Sequence, residues 1–161
     1  MKQKILAGLI IAVFSSSAYA SIKDKKAIRA ADASIAEEVA KVKASCGNAK
    51  LDVNVDWDDF KKMAAANEAK LADDRYQSQW IMSHAGQRTV AVLEAVSEIC
   101  KDDADYKEEL ALLTKVTVSA KQDFKDSKSE FSLDDTVLKV KSGHKMTRRA
   151  SDFTKSIKEL Y

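Results

Sequence analysis

The chain has 161 residues, 27 of them Lys or Arg and 25 Asp or Glu, with no proline, four glycines, two cysteines and two histidines. A near-neutral balance of charge excludes wholesale nucleic-acid binding, which runs on a strong excess of cations. A chain without proline and nearly without glycine is expected to form long helices with few tight loops.

The first twenty residues read as a secretory signal. Lys2 and Lys4 precede an uncharged apolar run over 5–14, which is short for a membrane span. Ala18 and Ala20 then stand at the −3 and −1 positions of a cleavage site, which disfavours an uncleaved anchor. Cleavage after the first 20 of 161 residues leaves 141, one domain with enough material for a real core. Losing Lys2 and Lys4 brings the 27 basic residues to 25, so the mature chain is formally neutral against its 25 acids. The expected compartment is the periplasm or the secreted space, with no membrane-spanning segment after cleavage. The charge is segregated: 52–109 holds 14 acidic and 7 basic residues, and 136–161 holds 2 acidic and 7 basic.

Cys46 and Cys100 are the only cysteines, and in an exported chain they are expected to form one disulfide. A Cys2His2 zinc site with His84 and His144 is disfavoured, because none of the short ligand spacings of structural zinc is present. No Cys-x-x-Cys pair argues for thiol redox work.

In chain order, Ile28, Ile35, Val39, Val42 and Cys46 mark one face of a helix over 24–46, and Gly47 stands where a helix-ending glycine belongs. Next, in LDVNVDWDDF, Leu51, Val53 and Val55 alternate with Asp52, Asn54 and Asp56 as in a half-buried strand. Asp56 is placed as a helix N-cap, with Asp59 three residues on as a weak capping box and Val55 with Phe60 as a hydrophobic staple. The same oxygens suggest a calcium loop, but counting from Asp52 the sixth and twelfth positions are Trp57 and Met63, where such a loop wants glycine and glutamate.

Helix is expected to continue past Met63 and Ala64, with a break at Asp73 and Asp74. The longest helix is expected over 75–100, with Ile81, Ala85, Val92, Val96 and Ile99 on one face. Gly86 is its weak point, and Trp80, His84 and Arg88 form an adjacent row. A short helix follows over 105–113, capped by Asp105 with Glu108. Residues 114–120 suit a strand or a continued helix, the strand being preferred. A hairpin is expected at 131–140 around Asp134 and Asp135, and Gly143 is expected to open a last helix striped by Met146, Ala150, Phe153, Ile157 and Leu160.

The expected fold is α+β, four to five helices with a small, mainly antiparallel sheet and one disulfide; an all-α bundle is the alternative. The chain holds no Gly-x-Ser-x-Gly, His-Glu-x-x-His, Walker or Gly-x-Gly-x-x-Gly motif. Paired acids such as Asp73–Asp74 and Asp102–Asp103 read as solvated faces. No catalytic residue, metal ligand or cofactor is therefore assigned. The expected role is that of a non-catalytic exported protein binding a protein or envelope polymer, as inhibitor or immunity-type proteins do by occlusion. The residues favoured for contact are Asp56, Trp57, Asp58 and Asp59, with Lys145, Arg148 and Arg149 as a basic second surface. That basic segment is more simply read as docking on the acidic middle of its own chain. Two rival roles are a small-ligand or metal carrier with Trp57 or Trp80 in its wall and, less favoured, an enzyme of unrecognised type.

Overall fold

The structure, a computed structural model, describes residues 17–144 and 147–161. It is an α+β domain. The described elements are α1 (Ser17–Cys46), β1 (Asp52–Val55), α2 (Trp57–Ala66), α3 (Glu68–Asp73), α4 (Ser78–Asp102), α5 (Ala104–Leu110), β2 (Lys115–Ala120), β3 (Glu130–Asp134), β4 (Val137–Ser142) and α6 (Ser151–Lys158). α1 begins upstream of the expected cleavage point at Ala20. No described helix is long and apolar enough to cross a membrane.

α4 is the centre. Its buried residues include Met82, Arg88, Thr89, Leu93 and Ser97 as well as the expected Ile81, Ala85, Val92, Val96 and Ile99, so it is enclosed on more than one face. α1 runs parallel to it at a nearly constant offset. Asp24 accepts a hydrogen bond from the Ser78 hydroxyl (2.9 Å), Ser45 and Ser97 hydroxyls meet at 2.9 Å, and Cys46 is bonded to Cys100. At the crossing, a Cβ on Gly86 would lie 2.4 Å from the Ala31 Cβ. The glycine that weakens the sequence pattern is thus the one that lets the two backbones approach. Gly47, at φ +70°, ends α1 in the left-handed conformation that suits glycine.

The expected disulfide is formed, with an S–S distance of 2.04 Å. Beside it, the buried Asn48 ties two loops. Its amide donates to the carbonyls of Leu113 (2.6 Å) and Leu110 (3.4 Å), while its oxygen accepts from the N–H groups of Lys50 and Leu51, both at 3.1 Å.

The sheet order is β1-β2-β4-β3. β1–β2 and β2–β4 are parallel, and only the β3–β4 hairpin is antiparallel. The expectation of a mainly antiparallel sheet is therefore corrected. Four helices, α2 to α5, separate β1 from β2, and so long a crossover returns the chain in the same direction. The hairpin then inserts its second strand next to β2. Helix number rises to six among the described residues, because Asn67 separates α3 from α2 and residues 74–77 separate it from α4.

Val116, Val118, Leu138 and Val140 fill one sheet face as part of a single core with Phe60, Met63, Leu93, Val96, Phe153 and Ile157. By register, Thr117, Ser119, Lys139 and Lys141 share the other, polar face.

Three local expectations change. α5 is capped by Asp103, whose carboxylate accepts from the Tyr106 N–H at 3.5 Å, rather than by Asp105. The hairpin turn is Asp135-Thr136, since Asp134 pairs with Val137. The last helix starts at Ser151 rather than at Gly143. The chain ahead of it is drawn into the core instead, where the buried Arg88 guanidinium donates to the His144 carbonyl at 3.0 Å and to the Ser127 carbonyl at 2.9 Å. Met146 lies outside the described residues.

Candidate functional site

A hollow in the described surface lies where β1 hands over to α2. About 610 Å³ is walled by Lys25, Ile28 and Arg29 of α1, by Asn54, Val55 and Asp56, and by Trp57, Asp58 and Lys61. Its floor exists for local reasons. The Asp56 carboxylate accepts the Asp59 N–H at 2.9 Å and starts α2 in place, as the sequence requires of an N-cap. The Asp56 N–H donates to the Val118 carbonyl (2.8 Å), so the cap residue is anchored to the sheet. Trp57 follows at the first helical position, half-buried, and its indole N–H donates to the Asp32 carboxylate of α1 at 2.9 Å. That bond and the Phe60 ring, 6.0 Å away, hold the indole against the helix pair.

The acids in this turn have different duties. Asp58 is exposed, pairs with Lys61 at 3.0 Å, and its carboxyl is held below the usual range by that hydrogen-bonded ammonium. Asp59 does not close the expected capping box. Its carboxylate turns to the end of β2, accepting from the Ala120 N–H (2.9 Å) and the Gln122 amide (3.2 Å). Asp59 is a tie between α2 and the sheet, and it lines no part of the hollow. Lys25 and Arg29 form no ion pair among the described residues, and with Lys61 they set three cations in the lining against the carboxylates of Asp56 and Asp58.

The second candidate surface does not join the first. Lys145 lies outside the described residues. Arg148 donates to the Ser127 carbonyl at 3.2 Å, and the Arg149 backbone N–H donates to the Asp152 carboxylate at 2.9 Å while its side chain is exposed. Farther along, Lys158 pairs with Asp103 (3.1 Å) and lies 4.6 Å from the Tyr106 ring centroid. Lys158 thus ties α6 to the acidic 52–109 segment, while Arg148 turns to the loop at Ser127.

The histidines are engaged. The His144 Nε2–H donates to the Lys121 carbonyl at 2.6 Å, and its ring packs edge-on to Phe60 at 6.2 Å; burial lowers its pKa. His84 Nδ1 meets the Tyr76 hydroxyl, and partial burial followed by the nearby Arg88 lowers its pKa too. Tyr76 is pushed up to about 12 by burial. Trp80 stands edge-on to Tyr76 at 5.3 Å, 41% exposed, away from the hollow. Among the described residues no group of three His, Cys, Asp or Glu is placed to hold a metal ion.

A smaller hollow of about 260 Å³ lies on the polar sheet face, between Thr117, Ser119, Ser132 and Lys141. Its charges are answered by pairing: Lys139 with Asp134 at 2.6 Å, and Glu130 with Lys121 at 2.7 Å.

Sequence reasoning found Asp56, Trp57 and Asp58 because caps and staples are local. It missed Lys25, Ile28 and Arg29, whose spacing of three and four marks one helix face but says nothing of what that face meets. No family model, curated protein or solved structure matches the chain.

Proposed function

We propose that this is an exported, non-catalytic protein that binds another macromolecule through the cleft between α1 and the β1–α2 joint, in the manner of an inhibitor or immunity-type factor that occludes its target. The observation that carries this reading is the cleft itself. About 610 Å³ is lined by one half-buried tryptophan and by charged side chains of α1, of α2 and of the Asp56 that caps α2. A fixed, amphipathic ring amid charged neighbours is the composition of a binding hot spot. The expected signal sequence and the formed disulfide support an oxidising compartment, the periplasm or beyond.

The small-ligand carrier reading is weaker, since such sites are mostly apolar and enclose their ligand, whereas most side chains of this cleft are charged or polar. The partner is sought by affinity capture from envelope extract with the oxidised protein, followed by reconstitution with the purified captured species. Binding is expected to fall at least tenfold in a Trp57→Ala, Arg29→Glu variant whose circular dichroism matches wild type. A captured partner that binds this variant as well as wild type would remove the cleft from the mechanism.

A further inference from the structure

We infer that the cleft receives an extended, acidic peptide segment, which adds to the free edge of β1 as a fifth strand. This rests on the cleft being the binding site and names the mode and chemistry of its partner.

The first observation is the edge. β1 is the outermost strand of the sheet. In a parallel ladder, alternate residues of one strand bond to the same neighbour. The Asp52 N–H donates to the Thr114 carbonyl at 3.0 Å and the Asp56 N–H to the Val118 carbonyl at 2.8 Å, so 52, 54 and 56 face β2. The main-chain N–H and C=O groups of Val53 and Val55 then point the other way. No hydrogen bond reaches them from elsewhere among the described residues. An open row of such groups is a template for strand addition.

The second observation is where that edge leads. Asn54, Val55 and Asp56 line the cleft, and its opposite wall is α1. A strand laid on β1 runs into a space already bounded by a helix. The other sheet edge, β3, is exposed as well, but neither hollow places a helix along it.

The third observation is charge. The lining carries three cations, Lys25, Arg29 and Lys61, against two carboxylates, Asp56 and Asp58, and Asp58 is paired with Lys61. Lys25 and Arg29 hold no ion pair among the described residues. Carboxylates on the incoming segment meet these two cations, while β-branched side chains on its alternate face rest against Ile28 and the Trp57 ring. Main-chain bonds supply sequence-tolerant binding, and the two cations select for acid.

The test uses random linear nine-residue peptides displayed on phage and panned on the oxidised protein. Enriched peptides are expected to interleave Asp or Glu with Val, Ile or Thr. Their synthetic forms are expected to slow amide exchange at Val53 and Val55. They should lose at least tenfold affinity on N-methylation of alternate peptide amides, and again in a Lys25→Glu, Arg29→Glu variant. Val55→Pro, which deletes one outward N–H and no ladder bond, is expected to act likewise. An absence of linear binders, enrichment of basic peptides, or indifference to N-methylation would overturn the inference. So would protection of Val53 and Val55 by self-association, which would assign the edge to a second copy. A captured partner that needs Trp57 and Arg29 yet leaves the Val53 and Val55 amides unprotected would refute strand addition and leave the cleft in place.

Discussion

The two ends of the α1–α4 pair are built on different terms. At the Cys46 end the helices are joined covalently, the Ser45 and Ser97 hydroxyls meet, and the buried Asn48 bonds to four backbone groups. At the Asp24 end one hydrogen bond to Ser78 does that work, and α4 begins at Gln77 without a side-chain cap of its own. The cleft lies toward this second end, with Lys25 and Arg29 on its wall. The difference teaches a division of labour. The covalent tie and the Asn48 web sit at one end of the pair, while Lys25 and Arg29 stay without ion pairs among the described residues at the other.

Breaking the tied end gives the largest expected effect. Replacing both Cys46 and Cys100 with serine opens a loop whose ends are 54 residues apart. In the chain-entropy model, closing such a loop contributes about 4 kcal/mol. Chemical denaturation of the double variant is expected to show a loss of that order, with a higher m-value because the unfolded chain is no longer held compact. Under conditions where the variant stays folded, partner binding at the cleft is expected to persist. A loss below about 1 kcal/mol would show that the tied end is held by its hydrogen bonds and packing instead.

Acid is expected to act on the other half, and more gently. Both histidines lie away from the disulfide: His144 packs on Phe60 in α2, and His84 sits in the first half of α4. Burial lowers both pKa values in the folded state. The unfolded chain, with histidine near 6.5, therefore binds protons that the folded chain refuses. Stability from these groups is complete above pH ~6.5 and declines as the pH falls through the lowered folded values. Asp58 and Asp103, lowered by Lys61 and Lys158 respectively, are lost only in the carboxylate range below pH ~4, so the two windows separate. The urea midpoint is expected to drop between pH 7 and 5, and His144→Gln is expected to flatten part of that slope. A midpoint constant across this interval in wild type would mean that the histidines titrate alike folded and unfolded.

What was legible in the chain follows the range of the interactions that decide it. The strand, cap and helix of LDVNVDWDDF were legible because Asp56 and the Asp59 N–H it caps are three residues apart. The disulfide was legible because a chain that reads as exported and has two cysteines has one pairing to make. Strand direction was not: Val116, Val118 and Val140 alternate with polar residues in the same way whether their neighbours run parallel or antiparallel. The start of α6 was misplaced because periodicity sees Met146 and Ala150 but not Arg88, which takes the His144 carbonyl from 56 residues away. For the cleft, the half supplied by 54–58 was visible, while Lys25 and Arg29 come from a helix whose partner faces are set by the fold. Nor does composition show that the Arg148 guanidinium donates to the Ser127 carbonyl.

The smallest effect is also the most direct test of the contrast between the two ends. Asp32 is exposed, and its one evident duty is to accept the Trp57 indole N–H at 2.9 Å. An exposed hydrogen bond of this kind contributes less than about 1 kcal/mol, so Asp32→Ala is expected to leave the melting temperature nearly unchanged. The indole, however, loses the bond that fixes its plane in the cleft. In a Trp80→Phe background the remaining tryptophan emission reports Trp57 alone. Asp32→Ala is expected to shift that emission to the red and raise its accessibility to acrylamide. It is also expected to weaken the captured partner several-fold, because a ring free to turn loses rotamer entropy on binding that a fixed ring does not. An unchanged spectrum together with unchanged binding would show that packing against Phe60 suffices to hold the ring, and that this end of the helix pair is more rigid than its sparse bonding implies.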